Sequence, residues 1–422
     1  MKKLTPAEEI AAFMTRLYDN SMTTTSGGNL SVMDDNGTLW ISPSGVDKAH
    51  LRADDIMSVD KNGNIKGKHK PSTEYPFHLA IYKARPDIKA VLHAHPSALV
   101  AYSLARKVPN TMIIPEVAKR CGKVMVAKYA IPGSALLGSY IAEKFTAGAD
   151  TVILENHGVV LGSENMQNTY EMFEMLDFCA RIEANAKTLC ANMRTLTKEQ
   201  LDIKYPVYTD SLVSDNDDSH LRHELVEFST RCYGHRLFTA SQGAFICRTE
   251  GGSVLATPEN RDRAVLKDSD IVRVKGNKCE HEKTPSVFTD IANKIFGSHN
   301  DIKCIVVARS PEAMAFAVSD AVFDSHLIPE GYICLKNTVR HPYGTIQNTP
   351  QRIVDSISMK SPIAIIENDC IIVAGTSPLN AYDRLEVMEF GALSIKYTIA
   401  MGTPIIKISD DDIKDIEITF GL

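Results

Sequence analysis

Three histidines in the first half of the chain have the spacing of metal ligands. His93 and His95 end the apolar run IKAVLHAH, and residues two apart on a β-strand share a face, so both imidazoles should point to one side. His157 lies between the β-like runs TVILE and GVVLG, which predicts a tight hairpin with the imidazole at its turn. Three imidazoles that leave one position open are typical of catalytic zinc, whereas structural zinc usually adds cysteine.

A carboxylate and several small polar turns could complete such a site. Glu74 comes directly before the helix-like stretch YPFHLAIYKA, and a carboxylate beside a bound cation can move a proton to or from carbon. Unhindered amides and hydroxyls in neighbouring turns could hold an anion such as phosphate. The turns in question are Gly27-Gly28-Asn29, Ser42-Pro43-Ser44-Gly45 and Ser72-Thr73.

Each of these features also has an ordinary structural explanation. A His-x-His pair on a strand can be two polar residues without a ligand, although the third histidine downstream favours the metal site. Single turns of these compositions are usually structural, and a glutamate at a helix start is favoured by the helix dipole. We assign His78, four residues after Glu74, to packing or to support of the site.

The elements that must position these residues recur in the second half of the chain. The segment from Asp87, DIKAVLHAHPSALVAYS, resembles DIKCIVVARSPEAMAFAVS from Asp301, and LENHGVVLG resembles IENDCIIVAG. SGGNLSV and LRADDIMSV likewise resemble SQGAFIC and LKDSDIVRV, and all four pairs are offset by 212 to 215 positions. Collinear pairs of this kind indicate a tandem duplication. We predict domains at 1–208 and 209–422, joined where acidic and small polar residues replace the apolar periodicity, at 205–220.

Within each copy, short β-type runs alternate with helix-like stretches, which predicts an α/β fold of α/β/α layers. Turn signals between Gly27 and Gly45 indicate hairpins. We therefore expect a mainly antiparallel or mixed central sheet in each copy.

Composition narrows the class of protein. The 422 residues carry a formal net charge of −6, which argues against a general nucleic-acid binder, because a phosphate backbone needs a clustered basic surface. No run of about 18 apolar residues is present to span a bilayer, and the start lacks the apolar core of a signal peptide. The nine cysteines are odd in number and scattered. We expect a cytoplasmic enzyme without structural disulfides and with neither a membrane nor a nucleic-acid partner.

Four motifs in this order resemble the class II aldolase/adducin family. They are SGGNLSV, ISPSG, KPSTEYPFHLAIYKARPDIKAVLHAHPSALVAYS and LENHGVVLG. The resemblance spans roughly residues 5–190 and is greatest to L-fuculose-1-phosphate aldolases. Related epimerases place aspartate where this chain has Glu74, which favours aldol chemistry.

The resemblance implies a zinc-dependent aldolase, or one with another divalent metal, that interconverts a small phosphorylated ketose with dihydroxyacetone phosphate and a short aldehyde. It implies that His93, His95 and His157 bind the metal and that Glu74 acts as acid and base. The phosphate would be held by Asn29, Ser44, Gly45, Ser72 and Thr73.

One position departs from the family pattern. Family aldolases carry a tyrosine after the His-x-His helix that assists the aldehyde leaving group, but residues 114–121 read IPEVAKRC and contain none. Tyr129, Tyr205 and Tyr208 are the alternatives for that role.

The second copy lacks the predicted ligands. Val307, Arg309 and Asp369 stand where the first copy has its three histidines, and Phe288 and Ala244 stand where it has Glu74 and Asn29. Family members resemble one another in forming fourfold rings with active sites between subunits. We therefore expect a homodimer that forms a pseudo-fourfold ring, in which the inactive copy completes the walls of the active one.

Two other classes of function remain open. The same metal site could serve an epimerase, a decarboxylase or a dehydratase acting on a phosphosugar or a sugar acid. Alternatively, the chain could be a non-catalytic, adducin-like scaffold, although the complete ligand set of the first copy argues against that.

Overall fold

The computed structural model describes residues 4–189, 191–213 and 218–422. Its internal contacts divide the chain into two compact units. The first unit runs to Thr111 and resumes at Glu116–Ala180, and the second contains Met112–Pro115 and Arg181–Leu422. The predicted domain limits at 208 and 209 stay a prediction.

An eight-stranded mixed sheet forms the centre of the first unit. Its strand order is β4-β3-β2-β1-β5-β8-β7-β6, and every neighbouring pair is antiparallel except β6 with β7. The sheet is therefore mixed and mainly antiparallel, as the hairpin signals predict. Its strands are β1 Asn29–Met33, β2 Leu39–Ile41, β3 Met57–Val59, β4 Ile65–Lys66, β5 Ala90–Ala94, β6 Val124–Ala127, β7 Thr151–Leu154 and β8 Gly158–Ser163.

Helices cover both faces of this sheet. As a consequence, every residue of the central strand β5 is buried, whichever face its side chain is on. The first unit contains α1 Pro6–Asp19, α2 Tyr75–Ala84, α3 Ser97–Ala105 and α5 Ala135–Thr146. It also contains α4 Pro115–Arg120 except for Pro115, and the start of α6 Met166–Thr188. On one face, α2 and α5 pack Phe77, Ile81, Leu137 and Phe145 against strand residues such as Val91 and Val160. Helices α1 and α3 contact the strands from the other face.

The second unit repeats this topology with one added strand. The strand order of its sheet is β9-β13-β12-β11-β10-β14-β17-β16-β15. Without the added edge strand β9, this order matches the order of the first sheet strand for strand. The parallel pair is again the last, β15 with β16. The strands are β9 Thr209–Leu212, β10 Ala244–Arg248, β11 Val254–Ala256, β12 Val272–Lys275, β13 Lys278–Glu280, β14 Cys304–Ala308, β15 Thr338–His341, β16 Ile363–Ile366 and β17 Cys370–Gly375.

The helices repeat as well. α7 Ser219–Gly234, α8 Thr289–Ser298, α9 Pro311–Ala317 and α13 Pro378–Ala400 occupy the sequence positions of α1, α2, α3 and α6. The remaining helices are α10 Pro329–Leu335, α11 Thr345–Asn348, α12 Gln351–Ser356 and α14 Asp410–Phe420. Two short 3-10 helices, Lys48–His50 and Ala53–Asp55, recur as Arg263–Val265 and Asp268–Asp270. Both the predicted fold class and the tandem duplication are confirmed.

Local sequence signals account for the first helix. Thr5 caps α1, Pro6 occupies its first position, and the Glu8 carboxylate accepts the Thr5 N–H in a capping box.

The eight described cysteines are free thiols, and seven of them are buried. No helix in the described part of the chain is long and apolar enough to cross a membrane.

Candidate metal centre

His93 lies on the most buried strand of the first sheet. It pairs with Asn29 of β1 on one side and with Val160 of β8 on the other, and its side chain is fully buried. The ring Nδ1 lies 2.9 Å from the carbonyl oxygen of Val159. Because a carbonyl oxygen only accepts, Nδ1 must carry the hydrogen, and the lone pair of Nε2 then faces the site. This is the arrangement by which proteins orient a metal-binding imidazole.

His95 and His157 face His93 from two turns. His95 directly follows β5, and its Nε2 lies 3.0 Å from Nε2 of His93. His157 ends the turn between β7 and β8, in which Asn156 adopts the left-handed conformation with φ 55°. Its backbone N–H donates to the carbonyl of Leu154, so the hairpin itself positions the ring. The next residue has room only for glycine, since a Cβ on Gly158 would overlap the His95 ring.

The three rings fit a divalent cation. One nitrogen from each lies within 4.8 Å of the others. Burial lowers the pKa of each ring, to about 4 for His95 and well below the ordinary value for His93. Neutral imidazole is the form that binds metals. Nδ1 of His157 and Oε1 of Glu74 are buried without a hydrogen bond, so two of these four side chains carry a polar atom that a ligand could satisfy.

Glu74 projects into the same cluster from the start of α2. Its Oε2 lies 3.4 Å from Nε2 of His93, and its Oε1 lies 3.7 Å from Nε2 of His157. Glu74 is the N-cap residue of α2, but its side chain makes no capping bond and is free to face the histidines. Instead, the Ser72 hydroxyl accepts the N–H of Glu74.

A chain of buried hydrogen bonds runs from Glu74 into the core. Asn29 Nδ2 donates to Glu74 Oε2 at 2.8 Å, and Asn29 Oδ1 lies 2.5 Å from Nε2 of His78. Nδ1 of His78 lies 2.7 Å from the Ser31 hydroxyl, which lies 2.8 Å from the hydroxyl of Tyr82. From the sequence we assign His78 to packing or to support of the site. No sequence pattern indicates that Ser31 or Tyr82 takes part, because their contacts depend on strand register.

The predicted phosphate residues lie in two adjoining turns. Ser44 donates its N–H to the carbonyl of Lys70, and Ser72 donates its own to the carbonyl of Ser42. The two turns are therefore paired, with Ser44, Gly45 and Thr73 exposed and Ser72 buried beside Glu74. The Asn29 side chain, in contrast, is already bonded to Glu74 and His78.

A buried lysine, Lys48, links the Pro43 turn to the segment before the glycine turn, and sequence reasoning missed it. The Lys48 side chain is buried, and its Nζ donates to the carbonyl of Pro43 at 2.7 Å, while its N–H donates to the carbonyl of Thr25. Burial lowers its pKa to about 8. In the sequence it looks like an ordinary surface lysine, and only its burial between the glycine turn and the Pro43 turn reveals the connection.

The three tyrosines considered for the leaving group lie in different units. Tyr129 is 54% exposed in the loop after β6, where its N–H donates to Glu155, two residues before His157. A Cβ on Gly133 in the same loop would lie 3.0 Å from the carbonyl of Thr73. Tyr205 and Tyr208 belong to the second unit, where Tyr205 packs against the Phe288 ring.

In the second unit an ion pair occupies the position of the cluster. Arg309, in place of His95, donates from Nη2 to Oδ1 of Asp369 at 2.9 Å and from Nε to the Asp369 carbonyl at 2.6 Å. Both side chains are buried. The guanidinium lies 5.5 Å from the centre of the ring of Phe288, the residue that stands in place of Glu74. A charged group of the protein thus fills this space in the second copy.

Gly158→Ala should weaken zinc binding by about tenfold or more, because the added Cβ would overlap the His95 ring and the Ala94 carbonyl beside it and so displace His95. Isothermal titration with zinc measures the effect. Gly138→Ala, in α5 where the new Cβ makes an ordinary 3.6 Å contact, is the matched control and should bind zinc normally. Equal affinities for the two variants would contradict the proposed ring placement.

Arg309→Met should lower the free energy of unfolding by about 3 kcal/mol, because it leaves the Asp369 carboxylate buried without its counterion. Urea denaturation provides the measurement. Arg309→Met combined with Asp369→Asn removes both charges and should recover part of the loss. If the double variant were no more stable than the single one, burial of an uncompensated charge could not be the cause.

Comparison with known proteins identifies the fold family. The profile of the class II aldolase and adducin N-terminal domain matches residues 8–184 and again 223–394, on either side of the predicted boundary. The chain is 32% identical over 169 residues to a 3-oxo-tetronate 4-phosphate decarboxylase of Haemophilus influenzae, an alignment that covers 39% of this chain and 80% of the relative.

Two aldolases are similarly related. A 5-deoxy-D-ribulose 1-phosphate aldolase of Bacillus thuringiensis is 31% identical over 185 residues, or 43% of this chain and 85% of the relative. An L-fuculose phosphate aldolase of Methanococcus maripaludis is 34% identical over 166 residues, or 39% of this chain and 89% of the relative. With two profile matches that together span most of its length, the chain belongs to the class II aldolase and adducin family and contains two tandem copies of its domain.

Proposed function

We propose that this chain is a zinc-dependent aldolase that cleaves or forms a small phosphorylated ketose resembling L-fuculose 1-phosphate. The products of cleavage would be dihydroxyacetone phosphate and a short aldehyde. The observation that carries the proposal is the convergence of three neutral imidazoles and one carboxylate in a buried cluster. The relatives named as phosphosugar aldolases and a phosphosugar-acid decarboxylase support it.

Separate residues would bind the metal, transfer the proton and bind the phosphate. His93, His95 and His157 would hold the cation, which when bound acts as a Lewis acid toward a substrate carbonyl. Glu74 would take or return the proton at the adjacent carbon, because it lies beside the same ring nitrogens and is buried away from bulk water. The paired turns with Ser44, Gly45, Ser72 and Thr73, together with Asn29, would hold the phosphate.

A decarboxylase acting on a phosphorylated keto acid is the second candidate. Two observations favour it: the chain is similar to 3-oxo-tetronate 4-phosphate decarboxylases, and residues 114–121 contain no tyrosine to take the proton from the hydroxyl that becomes the aldehyde. Loss of carbon dioxide requires no such group. In both reactions a carbon–carbon bond next to a carbonyl breaks, and the carbon that keeps the bonding electrons must then take up a proton. Both reactions would therefore use Glu74.

Product analysis separates the two candidates. The zinc-loaded protein is incubated with dihydroxyacetone phosphate and a panel of short aldehydes, and in parallel with 3-oxo-tetronate 4-phosphate. Condensation of dihydroxyacetone phosphate with an aldehyde to a longer ketose phosphate supports the aldolase. Release of carbon dioxide from 3-oxo-tetronate 4-phosphate, without condensation in the aldehyde panel, supports the decarboxylase. Absence of both reactions, together with absence of bound metal in the purified protein, would favour a non-catalytic scaffold.

Glu74→Gln should lower kcat by about 10²- to 10⁴-fold, because the amide keeps the size of the carboxylate but cannot accept the proton. Zinc content should stay at one ion per chain, since the three histidines are retained. Glu155→Gln, on the neighbouring turn, serves as the control and should keep kcat within about threefold. A Glu74→Gln variant with unchanged kcat would remove Glu74 from the proposed role.

For the assembly we propose a homodimer whose four domain copies form a pseudo-fourfold ring, with the second copy completing the walls of the active one. Light scattering should give twice the mass of one chain. Deleting the residues after His220 should yield an aggregating or inactive first half. A soluble and fully active truncation would refute the role given to the second copy.

A further inference from the structure

The direction of every hydrogen bond between Glu74 and His78 follows from the chemistry of its partners. The Glu74 carboxylate accepts, so the Asn29 group that faces it at 2.8 Å is the NH₂. The Asn29 oxygen then faces His78 Nε2 at 2.5 Å and requires a hydrogen there. Neutral imidazole has only one N–H, so Nδ1 of His78 accepts from the Ser31 hydroxyl at 2.7 Å.

Glu74 and His78 together therefore fix which way the Asn29 amide points. The oxygen and nitrogen of an amide are nearly equal in size, so packing alone does not distinguish the two orientations. Rotated by half a turn, Asn29 would place its oxygen against Glu74 Oε2, and two acceptors would repel each other. The Nε2–H of His78 excludes this orientation, because it would then face the Asn29 NH₂.

The surroundings of the His78 ring keep it in the neutral form. His78 is fully buried, and burial lowers its pKa to about 3, so the ring stays neutral near pH 7. It stacks on Phe77 with ring centres 4.5 Å apart, and the Phe77 ring in turn meets His93 edge-on at 5.6 Å.

The second copy of the same fold lacks the whole polar chain. Ala244 lies opposite Val307 just as Asn29 lies opposite His93, and α8 begins after Phe288 just as α2 begins after Glu74. At these registers the apolar residues Ala244, Ile246, Phe288, Ala292 and Phe296 replace Asn29, Ser31, Glu74, His78 and Tyr82, and all five are buried in the core. The fold therefore does not need these polar groups, and they are absent where the metal ligands are absent.

We propose that His78 is a positioning residue that, through the Asn29 amide, holds the Glu74 carboxylate in the orientation needed for proton transfer. The inference rests on the proposed function of Glu74 and extends it by two residues into the core. His78 makes no hydrogen bond to a predicted metal ligand, and among the predicted phosphate residues it bonds only to Asn29, whose side chain is already bonded to Glu74. Its loss should therefore affect the rate more than substrate or metal binding.

A matched pair of substitutions at position 78 tests the proposal. His78→Leu fills similar space without a donor, whereas His78→Gln offers an NH₂ near the position of Nε2. His78→Leu should lower kcat by about tenfold or more with KM within about twofold, because a misplaced carboxylate slows the chemical step. His78→Gln should recover at least about fivefold of that loss, and zinc content should be equal in all variants.

Tyr82→Phe, which introduces the residue of the second copy, is the control. It removes the hydroxyl at the far end of the chain and leaves the His78 to Asn29 bond intact, so kcat should stay within about threefold of the unmodified protein. A His78→Leu variant as active as the unmodified protein, or a His78→Gln variant no better than His78→Leu, would overturn the proposal.

A second measurement is independent of turnover. The ¹⁵N chemical shifts of the His78 ring in the metal-free protein should show hydrogen on Nε2 and none on Nδ1. The opposite tautomer would overturn the proposal whatever the kinetics. If the unmodified protein acted on none of the candidate substrates, the proposed function would fail while the ring shifts would still decide the orientation of Asn29.

Discussion

Strand register at the centre of the first sheet fixes how His93 faces the other groups of the candidate metal centre. β5 is bonded to β1 and to β8, so that His93 lies opposite Asn29 on one side and Val160 on the other. Because side chains alternate across a sheet, a slip of one residue would turn His93 to the opposite face and separate it from Glu74 and Asn29. The carbonyl of Val159, which orients the His93 ring, also depends on this register. Burial of both faces of β5 by apolar residues makes such a slip costly.

The two copies fill the same space in the fold by different means. In the first copy the space contains three neutral rings and a carboxylate, with two buried polar atoms that make no hydrogen bond. Such atoms are costly in an apolar interior unless a ligand satisfies them. In the second copy Arg309 and Asp369 bind each other there, and apolar residues replace the polar chain behind Glu74. In the second copy an ion pair of the protein itself thus occupies the space that the histidines line in the first.

The sequence predicted much of this from local patterns. Alternation along IKAVLHAH predicts that the imidazoles of His93 and His95 lie close together, the runs around His157 predict the hairpin, and the four repeated segments predict the second copy. The remaining features depend on contacts between residues far apart in the sequence. The link from Ser31 to His78 joins a strand to a helix 47 positions later, and the burial of Lys48 depends on two separate turns. No local pattern encodes these contacts, because tertiary packing creates them.

We propose that the first copy binds one divalent cation through three histidines. Anomalous diffraction at the zinc edge, from crystals of the intact chain grown with zinc, shows whether it does. We expect one strong peak per chain, about 2.0–2.1 Å from a nitrogen of each of His93, His95 and His157. A structure without a peak at the cluster, or with zinc bound only elsewhere, would contradict the account.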